Sequence, residues 1–373
     1  MKIALVHDYL KEYGGAESVL EALSDIFPNA PIYTTLYHPQ NFGPHRSRLE
    51  KKWSPRLHQS FFQHLPLAPK LISPLRLLSP LAFKSFDFRG FDLIITSATG
   101  AYFPNSLNKN GAKLICYCHT PPRYLYGLPT ARRFTNNPII HFFVSIINHF
   151  LRPLDFKYSQ NVDQYLANSL TTAARIKKFY RRDSLIINPP VDIPKEAKIA
   201  ISSPKSSPQY YLTGGRLAAA KRYDIAIEAC NQLKLPLKVF GRDFANTLSY
   251  LKSFAGPTIE FVGEVTQAEK FKLFSQAKAY IFPSDQEDFG IVSVEAQASG
   301  CPVVGYNSGG ITETVIDGQT GVLFDKLTPA SCAQAIQKLQ KLKITPLTCI
   351  KNAHQFSSEI FLQKIQNLVT RSL

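Results

Sequence analysis

Ala279-Tyr-Ile-Phe-Pro283, followed after Ser284-Asp-Gln286 by Glu287-Asp-Phe-Gly-Ile-Val-Ser-Val-Glu295 and Ala296-Gln-Ala-Ser-Gly300-Cys-Pro302, is the stretch from which the fold follows. The apolar run reads as a buried strand stopped by Pro283, and the small-residue run after Gly290 reads as a helix. Strand, polar loop and helix in that order form half of a βαβ unit. The loop Ser284 to Asp288 carries Glu287 at its tip. Gly290 tolerates close backbone approach, and the amides of Phe289, Gly290, Ile291 and Val292 become the unpaired first-turn donors of a helix, a seat for phosphate. Glu295 follows about one and a half turns later, where a buried carboxylate can accept two hydroxyl hydrogen bonds. Two carboxylates on either side of a phosphate seat suit a sugar and a ribose flanking a diphosphate.

Outward from this stretch, strands alternate with helices. Strands are expected at Tyr210 to Thr213, Leu237 to Phe240, Ile259 to Val262, Pro302 to Tyr306 and Gly321 to Phe324. Helices are expected at Arg222 to Gln232, Phe244 to Phe254 and Gln267 to Ala277, with further helical stretches at Ala330 to Leu342 and Ser357 to Leu373. This describes a doubly wound parallel sheet. Gly214-Gly215-Arg216-Leu217, at the end of its first strand, is followed by Lys221-Arg222. Arg216 can fork onto a phosphate and Lys221 can add a point charge to the same diphosphate. A solvated helix start would explain these cations equally well if they stood alone.

The first half repeats the architecture. A strand from Ile3 to Val6, the turn Gly14-Gly15 and a helix from about Ala16 to Ile26 open it, and buried strands follow at Leu93 to Thr96, Lys113 to Tyr117, Gln164 to Ala167 and Leu185 to Ile187. Length fits two domains, here 1–192 and 209–355, joined by a Pro, Lys and Ser-rich linker 193–208, with helix 356–373 returning to the first. The expected architecture is two Rossmann-like sheets facing across a cleft, with ligands outside the carboxyl ends of the strands. Gly14 and Gly15 are candidates for bringing backbone amides to a ligand. His119, in Cys118-His119-Thr120-Pro121-Pro122-Arg123, ends a strand and should project its ring into the crevice.

Composition bounds the rest. Of 373 residues, 45% are hydrophobic and 19% charged, as in globular proteins. Lys plus Arg number 43 against 27 Asp plus Glu, a net +16 that favours anionic ligands. A nucleic-acid binder would use that charge too, but no basic stripe with stacking aromatics or known module accompanies it, so no nucleic-acid partner is expected. Six cysteines without a regular framework read as reduced, mostly buried thiols in a cytoplasmic protein. Met1 to His7 is too short an apolar run for a signal peptide. The run 138–151 is too short to span a bilayer and reads as a buried or interfacial helix. Arg46 to Arg89 interleaves cations with apolar residues, a pattern found both in helices lying on anionic membranes and in helices packed over a sheet.

Six motifs in order, over nearly the whole chain, resemble the retaining glycosyltransferases of family 4, the group 1 glycosyl transferases. They are Tyr117 to Arg123, Ala167-Asn-Ser169 with Arg175 and Tyr180, Asn188 to Asp192, Gly215-Arg-Leu217 with Lys221-Arg222, Glu287 to Glu295, and the glycine motifs at Gly300, Gly309-Gly310 and Gly318. The resemblance implies the GT-B fold, with a nucleotide-sugar donor held mainly by the second domain. It implies Glu295 on the donor ribose, Glu287 on the transferred sugar, Arg216 and Lys221 on the diphosphate, and His119 near the sugar hydroxyls or the anomeric carbon. Gly15 and the amides of Phe289 to Val292 would complete the pocket. No metal and no cofactor is implied, the Asp-x-Asp signature being missing. The segment Tyr117 to Tyr126 is most similar to a branch that transfers mannose from GDP-mannose in surface polysaccharide or lipopolysaccharide assembly. If the Arg46 to Arg89 stretch lies on an anionic membrane, it suits a polyprenyl-linked acceptor, so the expected partner is a glycan or polyprenyl-linked acceptor and the expected place the cytoplasm, at the inner face of the cell membrane in that case. UDP-sugar transfer, a non-catalytic sugar-nucleotide sensor and a glycogen-type synthase are the alternatives on the same fold. A phosphorylase would need a cofactor-lysine pattern that the chain does not show.

Overall fold

The computed structural model describes residues 1–130, 138–194 and 209–371. Most of the expected linker 193–208 lies outside the described residues. The chain forms two compact units, one of 1–128, 136–190 and 361–373, the other of 129–135 and 191–360. Val191, expected in the first domain, belongs to the second, where it packs with Phe289, Val294, Ala298 and Ala353.

The first unit is built on seven strands, β1 (Ile3–His7), β2 (Ile32–Thr34), β3 (Leu57–Gln59), β4 (Leu93–Ala98), β5 (Lys113–Cys118), β6 (Gln164–Ala167) and β7 (Ser184–Ile186). They are parallel throughout, in the order β3-β2-β1-β4-β5-β6-β7. Strand residues alternate between two cores because successive side chains point to opposite faces. Ala4, Val6 and Ile94 join one cluster, and Leu5, Leu93 and Ile95 the other. Phe361, Ile365 and Val369 of the Ser358–Arg371 helix complete that second cluster.

The second unit holds six strands, β8 (Tyr210–Gly214), β9 (Leu237–Phe240), β10 (Ile259–Gly263), β11 (Ala277–Phe282), β12 (Val303–Tyr306) and β13 (Gly321–Phe324). They too are parallel, in the order β10-β9-β8-β11-β12-β13. In each sheet the order reverses once, between β1 and β4 and between β8 and β11. Such a reversal leaves a crevice outside the carboxyl ends of the two strands, because their connections leave on opposite faces.

Some elements differ from the sequence reading. β2 and β3 have only three residues each, too few for a periodic signal. The helix expected from Phe244 starts at Thr247, since Ala245 and Asn246 both take left-handed backbone angles. The basic half of Arg46 to Arg89 packs down. Trp53 is buried with its Nε1 donating to Ser24 Oγ at 3.2 Å, Arg48 and Lys52 bind Glu21, and Lys52 also reaches Asp25 at 2.7 Å.

Candidate functional site

In the second unit the site forms where β8 and β11 end side by side. β11 stops at Pro283, and the following loop returns to a helix, Ile291–Ala298, through Gly290 at φ +85°. A side chain there would be strained, and its Cβ would stand 3.6 Å from Glu287 Cγ. Helix geometry leaves the amides of Ile291 and Val292 without intrahelical acceptors. The loop after β8 faces this helix end, since a Cβ on Gly215 would lie 3.8 Å from Val292 Cγ2.

The two loops are tied together by charge. Lys221 Nζ binds Glu287 Oε2, and Ser284 Oγ donates to the same oxygen at 2.7 Å. Asp285 N donates to Ala220 O at 3.3 Å, fixing the backbones beneath the pair. A third loop braces Glu287 from below. Gly310 N donates to Glu287 O at 2.8 Å, and Gly309, at φ +76°, sits so close that a Cβ would stand 2.4 Å from that oxygen. The expected Gly309-Gly310 motif therefore positions Glu287. Arg216 projects over the Phe244 ring, 5.1 Å from its centroid.

Glu295 is buried one and a half turns into the helix, and Lys270 Nζ donates to its Oε1 at 2.7 Å. Gln267 Nε2 reaches the same oxygen at 3.5 Å. The lysine partner had no sequence signal, because it comes from the separate Gln267–Gln276 helix. Phe289 is buried against Phe356, so only its backbone can serve a ligand.

In the first unit, His119 lies at the end of β5, and its Nε2 is 2.9 Å from Ser97 Oγ. The same hydroxyl is 3.1 Å from His7 Nδ1, and His7 Nε2 lies 3.6 Å from Glu17 Oε1. A hydroxyl has one proton, so Ser97 can donate to at most one of the two rings. Register builds this chain, because His7 is the cross-strand partner of Ser97. Sequence reading missed it, since three separate strands and a helix supply its members. Burial, and then the neighbouring His7, push the His119 imidazole down to about 3, so it is neutral at physiological pH. Asn168 Nδ2 and Thr172 Oγ1 donate to the His119 carbonyl at 2.9 and 3.3 Å, which gives the Ala167-Asn-Ser169 motif its local role.

Gly14 does not offer its amide as expected. Its N–H donates to Glu17 Oε2 at 2.9 Å in a capping arrangement, so at this turn the first-turn amide of Gly15 is the candidate contact. Asp8, at the same strand end, is buried and takes hydrogen bonds from Thr99 Oγ1 at 2.6 Å and Tyr102 N at 3.0 Å. Its carboxyl is pushed up, chiefly by burial. All six cysteines are free thiols and buried.

Residues 13–194 match Glycosyltransferase Family 4, and residues 194–356 match Glycosyl transferases group 1. A D-inositol 3-phosphate glycosyltransferase of Nocardioides sp. is 28% identical over 210 residues, 48% of this chain and 46% of its own length. The capsular polysaccharide biosynthesis glycosyltransferase CapM of Staphylococcus aureus is 25% identical over 158 residues, 41% of this chain and 40% of its own. The chain thus spans about half, or less, of the curated relatives it matches. Among solved structures, HepE of Anabaena in complex with UDP covers 100% of both chains at TM-score 0.69 and 18% identity, a likeness of fold. The two family matches together run from residue 13 to 356 over two Rossmann-like sheets, and the chain belongs to the group 1 glycosyl transferases, with the GT-B fold.

Proposed function

We propose that this chain is a retaining, metal-independent hexosyltransferase that moves mannose from GDP-mannose to a lipid-linked or polysaccharide acceptor during cell-surface glycan synthesis. The observation that carries the reading is the meeting of Lys221 with Glu287 beside the Gly290-capped helix, at the point where the second sheet reverses. In this reading the first-turn amides of Ile291 and Val292 take the diphosphate, and Arg216 and Lys221 hold the charge that grows on it as the glycosidic bond breaks. Glu287 orients the sugar, its carboxylate fixed by Lys221 and Ser284. Glu295, held by Lys270, accepts from the ribose hydroxyls. His119, being neutral, suits hydrogen bonding to sugar hydroxyls without bringing a buried charge. The acceptor attacks from the face the diphosphate leaves, and the departing phosphate oxygen takes the acceptor proton, so the anomeric configuration is kept. No cofactor enters, and the nucleotide sugar is the donor substrate.

The protein works in the cytoplasm at the inner membrane face, where a polyprenyl-linked acceptor would be presented. A UDP-sugar donor is the second reading, because the HepE fold neighbour was solved with UDP. Thermal-shift and hydrolysis measurements with GDP-mannose, GDP-fucose, UDP-glucose, UDP-N-acetylglucosamine and dTDP-rhamnose, each with and without a chelator, decide between them. Stabilisation by GDP-mannose with chelator-insensitive turnover is expected. Binding of none would sink the transferase reading, and an inverted product anomer by NMR would sink retention. Glu287→Ala should lower turnover by about 10²-fold or more while leaving the fold intact.

A further inference from the structure

The Pro138–Ser159 helix has its faces arranged unusually for a helix on a soluble sheet protein. Leu151, Asp155 and Ser159 point into the first unit and are buried. On the opposite side Phe142, Phe143, Ile146, Ile147, Phe150 and Leu154 are 41–68% exposed. At about 100° per residue these six fall within an arc of about 140°. Single exposed apolar residues need no explanation, but a continuous face of three phenylalanines and three aliphatics does.

A second group of exposed apolar residues lies on an element tied to this helix. Leu77, Leu78 and Leu81 are 45–58% exposed on the turns Arg76–Leu78 and Ser79–Lys84. Tyr124 joins the two elements, with the Arg76 guanidinium 3.7 Å over its ring and Asn148 Nδ2 donating to its carbonyl at 3.0 Å. Lys84 reaches the Tyr158 ring of the long helix at 5.5 Å.

Charge selects the occupant. Residues 93–154 contain no Asp or Glu, and residues 1–190 hold 23 Lys and Arg against 11 Asp and Glu, which is +12 of the chain's +16. Lys157 continues the apolar side of the helix one turn further on, Lys84 sits over Tyr158 of the same helix, and Arg152 is exposed on another side of it. A second copy of the chain would bring the same positive excess to the contact, whereas an anionic bilayer satisfies both the charge and the apolar surface. Among the described residues no helix is long and apolar enough to cross a membrane. A helix of 22 residues can lie in the interface with its apolar face inserted and its Lys157 stem snorkelling upward.

We infer that the exposed face of the Pro138–Ser159 helix, together with Leu77, Leu78 and Leu81, is the surface by which this chain docks on an anionic lipid bilayer. The inference rests on the membrane part of the proposed function and gives it a location. Sedimentation of the full chain with vesicles of phosphatidylcholine, alone or with about 30% phosphatidylglycerol, tests it. The wild type should partition onto the anionic vesicles, and Phe142→Ser/Phe143→Ser/Phe150→Ser should weaken that partition about tenfold or more. Because these side chains are exposed, circular dichroism and donor-induced thermal shift should be unchanged in the variant. Arg152→Glu/Lys157→Glu should weaken anionic binding and flatten its salt dependence. Wild-type-like sedimentation of the triple variant would overturn the helix assignment and leave the membrane reading standing. A wild type that stays in the supernatant with both vesicles overturns both. A wild-type dimer by light scattering that the triple variant abolishes, with neither sedimenting, would make the face a self-interface and overturn the inference.

Discussion

Gly309→Ala offers a sharp test of how Glu287 is held, because the chain contains its own control. Gly309 and Gly318 have the same backbone angle, φ +76°, but a Cβ on Gly309 would stand 2.4 Å from Glu287 O and 2.7 Å from Glu287 N, while one on Gly318 meets nothing within 4 Å. Placing alanine in the left-handed region costs about 1–2 kcal/mol at either site. At Gly309 the loop must also give way by about 1 Å to reach ordinary contact, an overpacking penalty of about 1–3 kcal/mol more. In a domain of this size about 1 kcal/mol lowers the thermal midpoint by roughly 2–4 °C. Gly318→Ala should therefore lose a few degrees and keep full turnover. Gly309→Ala should lose roughly twice as much or more, and turnover should drop by about 10²-fold because a carboxylate displaced by an ångström no longer meets its target. Differential scanning fluorimetry and donor hydrolysis on the two variants make the comparison. Equal midpoints and equal turnover for the pair would refute the claim that the Gly309 loop sets the position of Glu287.

Three further outcomes follow from the charged groups. Lys270→Met leaves the Glu295 carboxylate buried without its cation and should weaken nucleotide-donor affinity by about tenfold or more in a titration, with turnover at saturation less affected. His119 binds its proton only near pH 3 when folded but near 6.5 when unfolded, so the unfolded chain takes up more protons and stability falls as pH drops from 6.5 toward 3; His119→Gln should flatten that limb in urea titrations at pH 4 and 7. Asp155, buried beneath Tyr126 and Tyr180, is pushed up to about 7 by desolvation, so its contribution runs the other way, full below about pH 3.8 and lost as pH rises through 7; Asp155→Asn should raise the thermal midpoint at pH 8 relative to wild type and much less at pH 5.

The sequence made the second unit easier to read than the first, and the reason is local. From β8 onward strands of four to six residues alternate with helices, several of them long enough to show their period, and the Glu287 to Glu295 loop carries its glycine and both carboxylates on one short segment. In the first unit, β2 and β3 are three residues long, and the chain between Gly43 and Leu78 is broken by short turns of 3-10 helix that have no period to detect. Partners were harder than positions. The place of Glu287 on the loop after β11 was legible, but Lys221 as its direct counter-ion, and Ser284 as a second donor, depended on β8 and β11 being neighbours, which is a property of strand order. The Ser97 bridge between His7 and His119 was illegible for the same reason.

The two sheet reversals place opposite kinds of chemistry at equivalent positions. Beside β1 and β4 the polar groups are withdrawn from water and kept neutral or paired. His119 is unprotonated, Asp8 is pushed toward its acid form by burial, and Ser97 links the two imidazoles. Beside β8 and β11 the groups stand in ion pairs, Lys221 against Glu287 and Lys270 against Glu295. In the proposed function a polyanionic diphosphate would be met by positive charge and first-turn amides of the kind the second unit carries. In the same proposed function neutral sugar hydroxyls would suit neutral, buried donors and acceptors such as those at the first reversal. Each lysine is also clamped to a carboxylate, so neither faces a ligand as a bare cation. In this reading the donor's negative charge draws Lys221 toward the diphosphate, and Ser284 keeps Glu287 in place when that ion pair loosens. Exchanging Ser284 for alanine should therefore do little to the free protein and show itself only once donor is bound, as a lower turnover with an unchanged thermal midpoint.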